Sequence, residues 1–357
     1  MAKVGINGFG KIGRSLLRAM IERYPNKIIP VGINSPGDDP TKYLAYLFKY
    51  DSSHGRFYGE VCHDDKHVII NKLKIPVFRE TDIKKIPWIK NNADYVADCG
   101  EHHLTSDKAK SFIQGSVKKA VLAYSTRDVP VYIFGVNECK YNVKDQVLSI
   151  ASSTVNCLVP VLKIVHEKYG IREGLVTSIS SVTSDQKILD GPSLKSWRYG
   201  RAALVNIIPS NSDVGDAIGI VFPDLKGKIT GMEFRAPIPT VSVIDLTIRI
   251  CRSTDIGAIN DDIKHASKCS LSGILCYTEE QLVSTDFIGC TCSCVYDATA
   301  SIQVNNNFVK LIAWCDNEYG YACRLADMLS FIHSKDEQHN AEEQKKKDCK
   351  TQTRKMK

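Results

Sequence analysis

No stretch of this chain approaches the roughly 18 consecutive apolar residues that a membrane-spanning helix needs. The first residues, Met1-Ala-Lys3, run straight into the strand-like Val4 to Ile6. Neither a membrane span nor a signal or transit peptide is expected, and the protein reads as cytoplasmic. A large excess of one charge is also missing. The net charge is +7 over 357 residues, and 335–357, with eight basic and five acidic side chains, supply +3 of it. The remaining body is mildly basic, which argues against nucleic acid as a partner. No secretory context accompanies the 13 cysteines, which are odd in number and scattered, so free thiols are expected rather than disulfides. Cys290, Cys292 and Cys294 alternate along an expected strand, which would place three thiols on one face. With no fourth ligand in view, no metal site is expected there. What remains is an ordinary globular composition, 43% apolar and 24% charged, in a length suited to two domains.

The stretch Ser149 to Pro160, S-I-A-S-S-T-V-N-C-L-V-P, reads as a strand end, a turn of hydroxyl residues and the start of an apolar helix. A helix N-terminus stabilises a developing anion, so such a turn suits a nucleophile. Its cysteine, Cys157, lies one helical turn further on, where a packed and inert thiol is expected. At the other end of the chain, Val4–Asn7 is a short buried strand followed by Gly8-Phe-Gly10-Lys-Ile-Gly13. Ile12, Leu16, Leu17, Met20 and Ile21 then mark one helix face, and a second strand spans Ile28 to Ile33. This is a βαβ unit with G-x-G-x-x-G at its junction, a dinucleotide-binding arrangement that brings backbone N–H groups to a pyrophosphate. The carboxylate that normally accepts from the adenosine ribose is absent. Ser35 stands in its place, and Pro36-Gly37 turns Asp38 and Asp39 outward.

Further strands are expected at 94–98, 119–123, 131–134 and 147–151, and longer ones at 174–183, 229–234 and 241–250. The later runs suit a mixed or antiparallel sheet. Between them lies a long irregular segment, Gln186 to Arg201, of the kind that carries function or meets another subunit. The tail 335–357, low in apolar residues and with Lys345-Lys346-Lys347, is expected to be disordered.

N-G-F-G-K-I-G-R at 7–14, Y-D-S-S-H-G at 50–55, D-G-P-S at 190–193, N-I-I-P at 206–209, G-K-I-T-G-M at 227–232, R-A-P-I-P-T-V-S-V-I-D-L at 235–246 and W-C-D-N-E-Y-G-Y at 314–321 together resemble the glyceraldehyde-3-phosphate dehydrogenase family, from the first residues to about Ser334. The resemblance implies an α/β fold: a Rossmann-type NAD-binding domain over 1–151, with 317–334 returning to it, and an α+β catalytic-type domain over 152–316 with a mostly antiparallel sheet. It implies a homotetramer, with 186–201 as the intersubunit loop. NAD would meet Gly8, Gly10, Lys11, Ile12, Gly13, Ser35, Ala123, Asn317 and Tyr321. Ser152, Thr154, Thr183, Arg235, Ser212 and Asp213 match the family's phosphate-binding positions, and Arg201 lies in its arginine region.

The family's nucleophilic cysteine and its histidine are matched by Ser153 and Ser180. A cysteine beside a cationic histidine is thiolate at neutral pH, whereas a serine needs an adjacent base. The S-T-G of the phosphate site reads Asn211-Ser212-Asp213, and a nearby lysine is Asp216, so carboxylates stand where oxyanions should bind. In the nucleotide pocket Glu101 replaces a glycine and Tyr124 a small residue. The expected function is a catalytically impaired family member, assembling with itself or an active paralogue, with NAD weakly held and a small phosphorylated substrate disfavoured. The alternative is an active phosphorylating glyceraldehyde-3-phosphate dehydrogenase or an altered aldehyde oxidoreductase of glycolysis.

Overall fold

The computed structural model describes residues 1–100, 104–194 and 196–355, with 349–355 as backbone only. The short apolar runs of the first 150 residues form β1 (Ala2–Asn7), β2 (Ile28–Asn34), β3 (Val61–His63), β4 (His67–Ile70), β5 (Leu73–Phe78), β6 (Tyr95–Asp98), β7 (Lys119–Leu122) and β8 (Val147–Ser149). They join in one sheet, ordered β3-β4-β5-β2-β1-β6-β7-β8 and parallel from β5 across to β8. Alternate residues of its centre enter opposite cores. Tyr95, Ala97 and Val121 pack with Leu16, Leu17 and Met20 of α1 (Lys11–Arg23), while Val96, Ala120 and Leu122 pack with Trp88 and Phe112. Helix α2 (Thr41–Lys49) and the single turn α3 (Ser106–Ala109) complete this half.

The strand expected at 131–134 is reduced to one bridge, Val131 to Ser149. Asn137 is the reason. Its amide donates to the Val131 carbonyl and its oxygen accepts from Ile133 N–H, which curls the segment into a turn.

Helix α4 (Ser153–Tyr169) opens the second half. Strands β9 (Ile171–Ser180), β10 (Ile208–Asn211), β11 (Ile229–Arg235), β12 (Ser242–Ile250), β13 (Leu275–Thr278), β14 (Cys294–Asn305) and β15 (Phe308–Cys315) form a sheet ordered β10-β11-β9-β12-β15-β14-β13. It is mixed: β9–β11 and β13–β14 are parallel and the other pairings antiparallel. α4, α5 (Val214–Val221) and α6 (Ile256–Lys268) cover one face through Leu158, Leu162, Ile218, Ile259 and Ile263. The other face leaves Leu175, Ile179 and Met232 exposed.

Three sequence expectations fail beyond this point. Cys290, Cys292 and Cys294 do not share a strand face, because β14 begins only at Cys294, which is buried. The preceding loop is drawn down on the start of α7 (Tyr319–Lys355): Gly289 N–H donates to Asp316 at 2.7 Å, and the Cys290 and Cys292 carbonyls lie 2.8 and 2.9 Å from where a Cβ on Gly320 would stand. There Cys292 is disulfide-bonded to Cys276 of β13, so the thiols are not all free. The tail, expected to be disordered, continues α7 to Lys355. Leu325, Met328, Leu329 and Ile332 bury its first half in the core that α1 also enters. The helix then carries Asp336 to 7% exposure, where it accepts from Tyr95 at 3.0 Å and Tyr141 at 2.9 Å and pairs with Lys119 at 3.6 Å. An apolar count cannot register a buried carboxylate of this kind.

Candidate active site

At the strand-to-helix turn, Ala151 adopts a left-handed φ of 58°, a conformation that costs a non-glycine residue about 1 kcal/mol or more. Its surroundings hold it there. Tyr321 OH donates to the Ala151 carbonyl at 2.6 Å, and Asn156 Nδ2 donates to the Ile150 carbonyl at 2.6 Å. The turn sets Ser152 as the N-cap of α4, accepting from Val155 N–H at 3.4 Å, and leaves Ser153 at the helix N-terminus. Across from it, Val241, β-branched and at φ 71°, turns the chain into β12 so that Ser242 Oγ donates to Ser180 Oγ at 3.1 Å. A second distorted residue thus holds the second serine.

Ser153 and Ser180 line one cavity of about 1220 Å³. Ser152, Thr154, Thr183, Ser212, Asp213 and Arg235 line it too, as do Ile12, Ala123, Asn317 and Tyr321. The fold therefore collects into one place residues as far apart in sequence as Ile12 and Tyr321. Among the described residues lining it there is no cysteine and no histidine. Cys157 is buried beneath the turn, with Sγ 3.5 Å from the Trp314 carbonyl; burial, together with Cys294 and Cys315, pushes its thiol well above the usual range. It is inert.

The anion-binding side chains are already engaged. Arg235 donates to Glu233 at 2.9 Å and to the Ser181 carbonyl at 3.1 Å, with Glu233 12% and Arg235 20% exposed. Thr183 donates to Asp185. Arg201 lies outside the cavity and pairs with Asp190 at 3.2 Å, while Arg198 lines the cavity instead. Asp213 lines the cavity, and Asp216, outside its lining, pairs with Arg127, which lines it. Glu233 was legible in principle: residues i and i+2 of a strand share a face, so it had to stand beside Arg235.

At the nucleotide end the glycine turn keeps its form. Gly13 is required, since a Cβ there would lie 2.1 Å from the Gly8 carbonyl, and Gly8 has φ 89°. A Cβ on Gly10 would meet nothing within 4 Å. The turn at the N-terminus of α1 thus keeps open room for a pyrophosphate, and these residues fit NAD. Tyr124, which replaces a small residue, lines the cavity, is 5% exposed and donates to Asp98 at 2.7 Å, packing beside Phe112 and Leu122. Asn317 is held between Thr240 and Ser181, at 3.3 Å from each. Lys11 does not turn its side chain to a cofactor: Nζ reaches Glu318 at 3.1 Å and Ser53 at 3.3 Å. Gly8, Gly10, Gly13 and Ser35 lie outside the lining of the large cavity. Ser35 is tied through its carbonyl to Arg79 at 3.2 Å. Glu101 and His103 lie outside the described residues.

Residues 2–106 match the profile of the "Glyceraldehyde 3-phosphate dehydrogenase, NAD binding domain", and 152–317 match the "Glyceraldehyde 3-phosphate dehydrogenase, C-terminal domain". The chain belongs to the glyceraldehyde-3-phosphate dehydrogenase family. It is 47% identical over 334 residues to glyceraldehyde-3-phosphate dehydrogenase of Claviceps purpurea (strain 20.1), covering 94% of this chain and 98% of that one. It is 46% identical over 330 residues to the cytosolic enzyme of Gracilaria gracilis, covering 92% and 98%. It is also 46% identical over 334 residues to the testis-specific protein of Mus musculus, covering 93% of this chain and 75% of that one. The family's NAD-binding domain, two-domain α/β fold and oxidoreductase lineage are therefore this chain's own. No helix of the described residues is long and apolar enough to cross a membrane.

Proposed function

We propose that this protein keeps the scaffold and a weakened NAD site of the glyceraldehyde-3-phosphate dehydrogenase family but has lost its aldehyde chemistry, and that it acts in the cytoplasm by assembling with itself or an active paralogue as a tetramer. One observation carries the reading. Ser153 and Ser180 stand in the family's nucleophile and base positions, in one cavity, with no thiol or imidazole among its described lining residues. Neither hydroxyl has an imidazole in that lining to take its proton at neutral pH. Loss of general acid–base assistance alone lowers a rate by about 10² to 10⁴.

NAD, when bound, supplies a hydride acceptor. This chain's part would be to receive the pyrophosphate at the Gly8–Gly13 turn and to orient the nicotinamide end through Asn317. The missing ribose carboxylate at Ser35 supports weaker binding, since a neutral hydroxyl makes a weaker hydrogen bond than an ion. The ion pair of Arg235 with Glu233 supports poor capture of a phosphate ester. The exposed Leu175, Ile179 and Met232 on the uncovered sheet face support a subunit contact. We place the domain boundary at 151/152, with 317–334 returning to the first domain.

Single-turnover mixing of the protein with NAD and glyceraldehyde 3-phosphate tests the reading. No burst of NADH is expected, in wild type or in Ser153→Ala. A burst that Ser153→Ala abolishes would overturn it.

A further inference from the structure

Away from the cavity, three sulfurs converge. Cys276 lies on β13, and Cys290 and Cys292 lie on the loop before β14; their sulfurs all fall within 4.8 Å of one another. We propose that in the reduced chain Cys276, Cys290 and Cys292 bind a soft divalent cation, with zinc(II) as the natural fit and a water as fourth ligand. Three thiolates plus one exchangeable position is an accepted zinc donor set, and sulfur selects soft metals over magnesium or calcium. Thiolates about 2.3 Å from a tetrahedral zinc lie about 3.8 Å apart, so the sulfurs need shift only modestly to close on an ion.

The frame around the trio suits a ligand set. The loop is fixed at both ends, by Gly289 N–H on Asp316 at 2.7 Å and by Ser293 N–H on the Ile274 carbonyl at 2.9 Å. Phe287, Val295 and Trp314 wrap the site in apolar surface, which limits competition from water. Burial pushes the Cys290 thiol up, while the Cys292 N–H favours its thiolate. A bound cation adds the charge that burial lacks.

In the structure Cys276 and Cys292 are joined as a disulfide, with Cys290 a thiol. A dithiol reductant opens the site: it delivers two electrons and two protons, the S–S bond breaks into two thiols, and the reductant departs as its own disulfide. The three thiols then release three protons as the cation binds. Oxidised chain holds only one of the three ligands and is closed to metal. The other convergent group, Asp51, His54 and Glu318, differs in already holding a cation, the Lys11 ammonium.

The test uses the full chain, reduced with a dithiol, desalted without oxygen, equilibrated with zinc(II) and desalted again. Bound zinc is counted by mass spectrometry, and cadmium(II) replaces zinc for an ultraviolet thiolate charge-transfer band. About one equivalent of zinc and the cadmium band are expected for reduced wild type and for the surface variant Cys62→Ser/Cys251→Ser. Affinity is expected to fall at least about tenfold in Cys290→Ser, which keeps the Cys276–Cys292 pair, and in the double variant Cys276→Ser/Cys292→Ser. Circular dichroism checks that each variant is folded. No uptake by reduced wild type, or wild-type uptake by folded Cys290→Ser, would overturn the site.

Discussion

Glu233 and Arg235 share one face of β11 and meet at 2.9 Å inside the cavity, so the guanidinium that would hold a phosphate ester has a resident carboxylate. Glu233→Ala should release Arg235 and tighten inorganic phosphate binding by about tenfold, the scale of one charge-assisted hydrogen bond. Isothermal titration measures it, and Arg235→Ala in the same background should abolish the gain. Ser153 and Ser180 differ in kind from this pair. Each is well placed, one at a helix N-terminus behind the strained Ala151 and one against Ser242, yet neither brings a group that titrates near neutrality.

Between elements, the clearest device is the buried charge cluster that ties α1 and the loop after α2 to the start of α7. His54 Nε2 lies 2.7 Å from Asp316, and its Nδ1 is 3.5 Å from Asp51 and 3.4 Å from Glu318. Burial alone would lower the His54 pKa, but hydrogen bonds to Asp316 and Asp51 and the charges of Asp316 and Glu318 outweigh it and raise it to about 9. A raised folded value means that the stabilisation is complete below the ordinary 6.5 and is lost as pH rises through 9. Urea unfolding of wild type and His54→Gln should show a stability gap that narrows by about 3 kcal/mol between pH 6 and pH 10. Helix α7 has its own anchor. Asp336→Ala leaves the Lys119 ammonium, 5% exposed, without its carboxylate and should cost about 3 kcal/mol in the same assay. Truncation after Glu337 should be nearly neutral by comparison. These elements also mark what the sequence could and could not disclose. The βαβ opening and the hydroxyl turn were legible because period and glycine spacing are local signals. The helical tail was not, because Asp336 is fixed by Tyr95, Tyr141 and Lys119 from distant strands and loops. The 131–134 segment was lost to a side chain, Asn137, that outcompeted a neighbouring strand. Cys276 escaped notice because strand pairing, rather than spacing, brings it to Cys292.

At the scale of the whole molecule, a complete two-domain frame surrounds an altered centre. Leu175, 62% exposed on the uncovered face of the second sheet, belongs to the proposed subunit contact, and Leu175→Lys should shift the assembly toward smaller species in light scattering without lowering the melting temperature of the subunit. The nucleotide turn remains open at Gly10, and the cavity gathers Ile12, Ala123, Asn317 and Tyr321 with the hydroxyl and charged side chains of the second half. Steady-state turnover separates the frame from the chemistry experimentally. NADH formation from glyceraldehyde 3-phosphate, phosphate and NAD is measured for wild type and for Ser153→Cys/Ser180→His. No turnover above background is expected for wild type, and a gain of at least about 10² in the double variant, as thiolate and base return together. Wild-type turnover at an ordinary enzymatic rate, on the order of 10 per second, would contradict that expectation.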